Sequence, residues 1–214
     1  MLLTRTLALL PVAALLLAGC GGPKLLSLPT DPVDRAATCA VVAAAEARLG
    51  ERDVRKDLPL AARGRIVHYA LLAASANGRF DAEAANAVNA RMKALQDQVT
   101  SGKWQTLSQP CRDAFPAAAN TAPELPKGQL DAELACEELA EFMTRALDSQ
   151  GSSSDLTPYR TLRRTLNERL APALRGRVGG GFAAQQAEGR KALAKAAQLG
   201  SPTAVLDACL KRFG

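Results

Sequence analysis

Apolar side chains recur every three to four positions along most of this chain, and Gly, Pro and Asn interrupt the pattern at intervals, so the chain reads as a series of amphipathic helices. Asp31-Pro32-Val33-Asp34 offers an N-cap, a proline at the first helical position and an acid in the first turn. The helix predicted there runs to Gly50. A second helix is predicted from Leu58 to Ala76, with Asn77-Gly78 as its stop. A third begins at Asp81, carries Val88, Met92, Leu95 and Val99 on one face and ends before Gly102. A short fourth carries Cys111 and Phe115.

The pattern then starts again. Leu134, Leu139, Phe142, Met143 and Leu147 line one face of a helix predicted over 131–149, and the Ser-rich stretch Gly151 to Ser154 follows. Thr157-Pro158 opens a helix with Tyr159, Leu162, Leu166 and Leu170 in period, which Pro172 is expected to kink or end. Gly179-Gly180-Gly181 separates it from a helix over 182–199, and Ser201-Pro202 starts a last short helix with Val205, Cys209 and Phe213 inward. Between the two series, residues 116–130 hold three prolines and read as a linker.

The first residues follow another rule. A single Arg5 precedes an uncharged run from Thr6 to Leu17, and Leu17-Ala18-Gly19-Cys20 comes next. A charged start, roughly a dozen apolar residues and small residues before a cut describe a secretory leader too short for a permanent span. At Leu17-Ala18-Gly19-Cys20 the segment resembles a bacterial lipoprotein signal, a likeness confined to this leader. The resemblance implies cleavage before Cys20, a diacylglycerol on its thiol and acylation of its new amino group. Two or three acyl chains, at about 0.8 kcal/mol per buried methylene, would hold the mature chain on the membrane. Residue 21 is Gly rather than Asp, which by the same resemblance implies the outer membrane and its periplasmic face. Residues 20–30 read as a lipidated tether and 1–19 as the leader.

With Cys20 assigned to lipid, Cys39, Cys111, Cys136 and Cys209 remain, an even number in an oxidising compartment and so two disulfides with three connectivities. Cys39 to Cys111 is 72 residues and Cys136 to Cys209 is 73. Gly102 and Gly200 each lie nine residues before the second cysteine of a pair, and Phe115 and Phe213 four after it. These coincidences select Cys39–Cys111 and Cys136–Cys209 and suggest an internal duplication. The expected fold is all-α: two tandem disulfide-stapled bundles of about four helices each, over 31–115 and 131–214, packed together or beaded on the linker.

Composition agrees. The 214 residues include 43 Ala but only 8 aromatics. Alanine favours helix over strand. It also makes a core of modest buried area, so each half needs its staple. Taking Arg5 from the 27 basic residues leaves 26 against 21 acids, a mildly basic surface with no nucleic-acid signature.

Chemistry is sparse. His68 is the only histidine, with no nucleophile motif beside it, and reads as a half-exposed helical residue. No Cys-x-x-Cys or His-x-x-x-His suggests a metal, and no cofactor is expected. Glu137, Glu138 and Glu141 read as acids complementing a helix N-terminus, with Glu141 and Arg145 paired. Trp104, Tyr69 and Tyr159 read as core or seam residues. The basic run from Arg160 to Lys195 holds nine Lys and Arg against Glu168 and Glu188. Its Arg160, Arg163, Arg164, Arg175 and Arg177, near the glycines that open the next helix, are candidate anion-binding residues. The reading is a non-enzymatic, membrane-anchored envelope protein that meets another envelope protein as an interaction or scaffold module. The alternative is a binder of an anionic or amphiphilic molecule or lipid head group at the basic surface of the second half. The sequence sets no oligomeric state.

Overall fold

The computed structural model describes residues 26–53, 55–148 and 154–214. The stretch read as a leader, Cys20 and most of the Ser-rich stretch lie outside them. Among the described residues the chain is all-α, with helices α1 (Pro32–Ala47), α2 (Leu60–Ala74), α3 (Ala82–Thr100), α4 (Ser108–Ala114), α5 (Pro116–Ala119), α6 (Gln129–Asp148), α7 (Thr157–Val178), α8 (Phe182–Leu199) and α9 (Pro202–Phe213). A 3-10 turn, Trp104–Leu107, leads into α4, and another, Ser154–Leu156, leads into α7. No described helix is long and apolar enough to cross a membrane.

The starts of α1 and α3 are local chemistry. The Asp31 carboxylate accepts from the Asp34 amide at 2.9 Å, and that of Asp81 from the Glu83 amide at 2.9 Å. Each satisfies a donor that the first helical turn leaves open. Gly179, at φ 81°, ends α7 in a conformation that disfavours side chains. Pro172 does not end that helix; α7 continues to Val178. Pro172 removes the amide that would bond the Glu168 carbonyl, and because both residues are exposed, water can take that carbonyl.

In the first half α1 is the hub and packs on α2 and α3. In the second half α6 packs on α7, α8 and α9. Both hubs are rich in alanine; Ala36, Ala37 and Ala40 in α1 and Ala132, Ala135 and Ala140 in α6 are almost wholly buried. Short side chains let neighbouring helices approach on several sides. Each hub is also stapled to the last helix of its half: Cys39 to Cys111 with Cα atoms 5.4 Å apart, and Cys136 to Cys209 at 5.8 Å.

The halves share one contiguous core instead of hanging as beads. Helix α2 packs on α6, α8 and α9. At that seam, a Cβ on Gly64 would lie 3.1 Å from both Met143 Cε and Thr203 Cγ2. The Phe80 ring meets Phe142 edge to face at 5.7 Å, and the Phe80 amide donates to the Arg190 carbonyl at 3.0 Å.

The stretch read as a linker is partly helical and strapped down. Residues 116–119 form α5, with Ala117 and Ala118 buried, and α6 begins at Gln129. Asn120 donates its side-chain amide to the Leu199 carbonyl at 2.7 Å, and Arg212 donates to the Pro126 carbonyl at 2.9 Å. Residues 120–128, which hold Pro123 and Pro126, stay outside any helix without being loose. The end of the stretch read as a tether is also attached: Leu26 and Leu28 pack against the core, and Arg35 donates to the carbonyls of Pro29 and Thr30 at 2.9 and 2.7 Å.

Candidate binding site

Helix α7 buries Tyr159, Leu162, Leu166 and Leu170, which leaves its arginines on the outer side. Three of the five candidate anion-binding residues meet acids of the same molecule. Arg163 donates to Glu141 at 2.7 Å and lies 3.5 Å from Glu137, and Arg160 reaches Asp148. Arg177 lies 2.6 Å from Asp131 and 3.6 Å from Glu188. Arg164 and Arg175 are exposed, and their side chains have no hydrogen bond or ion pair among the described residues. Eleven residues separate them, about 16 Å along a helix, so one small anion cannot take both. Three of the nine basic residues in the run 160–195 are therefore met by acids of α6, which the run does not include. The anion site read from these five arginines is not assembled as a convergent cluster.

The acids themselves are not at a helix start. Helix α6 begins at Gln129, so Glu137 is more than two turns inside it and the helix dipole does not explain it. Glu137 is buried and Glu138 half-buried, and a Cβ on Gly189 of α8 would overlap the Glu138 carboxyl. Burial, with Glu137 and Glu141 as like-charged neighbours, pushes the Glu138 carboxyl up to about 7; burial, then Glu141, raises Glu137. The expected Glu141–Arg145 pair forms.

His68 is not half-exposed but wholly buried at the seam, where its Nε2–H donates to the Ala197 carbonyl at 2.7 Å. Its Nδ1 has no partner. Burial pushes its pKa down to about 4, so the ring is neutral at pH 7. An imidazole locked onto a backbone carbonyl inside a core is a packing element and lacks the reach of a general base. Trp104, Tyr69 and Tyr159 are buried as expected. Among the described residues no three His, Cys, Asp or Glu converge on a metal position.

Two concavities lie on the first half. One, of about 30 Å³, sits over the edge-to-face pair Tyr69–Phe115 and beneath the Glu46–Arg65 pair. It has room for water only. The other, of about 230 Å³, lies where the chain leaves α1 and enters α2; Arg48, Asp57 and Leu58 form one side and Arg63, Ile66 and Val67 the other. Arg63 is 5% exposed. Its Nη2 lies 3.1 Å from an Asp155 carboxylate oxygen, and its Nε and Nη1 are buried without a partner. Sequence reasoning missed this residue because an arginine in Leu60-Ala61-Ala62-Arg63-Gly64 looks like the polar side of a helix. The one signal was Gly64, whose missing side chain lets the second half close over it.

No protein-family model matches this chain, and comparisons with the curated proteins and with the solved structures find no match to either.

Proposed function

We propose that this protein is a non-enzymatic, lipid-anchored module of the cell envelope, held by Cys20 on the periplasmic face of the outer membrane, where it binds another envelope component at short range. The observation that carries this reading is the place where the folded body begins. Leu26 already packs on it, against Gly102. From Cys20 to Leu26 even a fully extended chain spans only about 20 Å. An acylated Cys20 would therefore keep the body beside the bilayer, with no long arm to reach a distant partner.

The apolar helix faces that the sequence offered to a partner are used in the molecule's own core. Among the described residues, the large hydrophobic side chains left exposed are Leu49 and Phe182, which is too little for a broad apolar docking face. The proposed contact is polar, and the exposed Arg164, Arg169 and Arg175 along α7 suit an acidic partner surface.

Metabolic labelling with palmitate and membrane fractionation test the anchor. The wild-type chain should carry label and sediment with outer membrane, and Cys20→Ala should lose both. A photo-cross-linking residue at Arg164 or Arg175 should capture a discrete envelope protein in the anchored form only. Unlabelled wild-type protein, or Cys20→Ala still sedimenting with membrane, would overturn the reading.

A further inference from the structure

Two large apolar side chains stand exposed among the described residues, Leu49 at 65% and Phe182 at 79%, and the fold sets them at opposite ends of the molecule. Helix α1 runs beside α3 in the same direction: Asp34 in its first turn pairs with Arg91, and Glu46 near its end pairs with Arg112 in α4, which follows α3. From Asp34 to Glu46 is about 18 Å of helix, and from Arg91 to Thr100 about 14 Å. The end of α1, with Leu49 in the turn after it, is therefore level with the end of α3. Helix α2 leads away from that end, since Arg65 near its start pairs with Glu46, His68 farther along meets Ala197, and Phe80 beyond it donates to the Arg190 carbonyl. Along α8, the path from Ala197 through Arg190 to Phe182 thus leads to the opposite end.

The tether chooses between these ends. Leu26 is held where α3 finishes: a Cβ on Gly102 would lie 2.8 Å from its Cδ1. From Cys20 to Leu26 the chain spans about 20 Å at most. Helix α3 alone, 19 residues and about 28 Å long, separates this exit from the level of Phe80, and Phe182 lies farther on. From the exit of the tether, we infer that the α1–α2 end of the first half rests on the bilayer, with Leu49 among the phospholipid head groups and Arg52 and Lys103 on lipid phosphates. The inference rests on Cys20 as the point of attachment.

The surface at that end suits phospholipid. Arg52 and Lys103 are exposed, and their side chains have no hydrogen bond or ion pair among the described residues. Arg55 and Lys56 face Asp53 and Glu51 at 3.4 and 3.5 Å, in pairs open to water that a phosphate can displace at little cost. A leucine flanked by long basic side chains can enter the interface while their charged ends stay with the phosphates. The exposed Glu51, Asp53 and Asp57 keep the contact weak by itself, so it forms because the anchor holds it in place. Arg175, on the part of α7 that leads to Phe182, is left clear of the membrane for the partner proposed above.

The test couples the mature chain, from Cys20 on, through the Cys20 thiol to a maleimide lipid in vesicles of phosphatidylcholine and phosphatidylglycerol. The other four cysteines are bonded to each other, so this thiol alone reacts. A diazirine amino acid is placed at Glu51 or, as the control, at Gln186 beside Phe182, and phospholipid adducts are counted by mass spectrometry after illumination. Position 51 should give about ten times the yield of position 186, which the fold places roughly 28 Å or more farther from the tether exit. Replacing Leu49→Ser, Arg52→Glu and Lys103→Glu together, all at exposed positions that leave the melting temperature unchanged, should bring position 51 down to the control yield. Equal yields at the two positions, a higher yield at 186, or a yield at 51 that the triple variant retains would overturn the inference. Because the maleimide lipid supplies the attachment, a Cys20 that carries no acyl chain in cells fails the palmitate labelling above and leaves this measurement unaffected.

Discussion

His68 and Glu138 carry opposite messages about pH. In the folded chain His68 titrates at about 4 instead of 6.5. As pH falls from about 6.5 to 4 the unfolded chain takes up a proton that the fold refuses, so this residue withdraws stability, by roughly 3 kcal/mol at full titration. Glu138 titrates at about 7 instead of 4.5. Between pH 7 and 4.5 the fold takes the proton first, so this residue adds stability as pH falls. Arg91 holds the Asp34 carboxyl below its ordinary range, so that group acts only at lower pH. The melting temperature of the wild-type protein is thus expected to change little from pH 6.5 to 4.5. His68→Gln should melt higher at pH 4.5 than at 6.5, and Glu138→Gln should melt lower, a divergence that thermal scans at the two pH values will detect. The caps at Asp31 and Asp81 were legible because they involve residues within three positions. The environments of His68 and Glu138 were not, because Ala197 and Gly189 reach them from helices far along the chain.

Among the elements, the hub helices α1 and α6 depend on their staples. Closing a loop of 72 or 73 residues stabilises by about 4 kcal/mol through the entropy of the unfolded chain. Replacing Cys136 and Cys209 together by Ala is expected to lower the melting temperature by roughly 10 °C in circular dichroism, and the Cys39, Cys111 pair should do the same. The pairing was legible because both spacings are nearly equal and carry matching Gly and Phe neighbours. Helix ends at Pro and Gly were also legible, with two exceptions. Pro172 sits where solvent can replace its lost hydrogen bond, and the prolines of residues 116–130 do not prevent that stretch from being strapped to the second half by Asn120 and Arg212. Side-chain donors from other helices decide that kind of attachment, and local pattern does not encode it.

For the whole molecule, the seam makes one folding unit of two stapled halves. Trp104, the only tryptophan, is buried in the first half. Its fluorescence reports that half alone, whereas far-ultraviolet circular dichroism reports both. With α2 packed on α6, α8 and α9, the two signals should melt at one temperature. Gly64→Leu drives a side chain into Met143 and Thr203 and should cost about 1–3 kcal/mol. It should lower both midpoints together, whereas separate midpoints in the wild type would mean that the halves fold independently.

Helix class, most helix limits, both caps and the sulfur pairing were written in the chain itself, because each depends on periodicity, on neighbours within a turn or on a repeated spacing. The meeting of α2 with the second half, the burial of His68 and Arg63, and the pairing of Arg160, Arg163 and Arg177 of α7 with acids of α6 depend on which faces touch. Contacts between helices separated by about a hundred residues are settled by shape and by the cost of burying polar groups, and those appear only when the chain is packed.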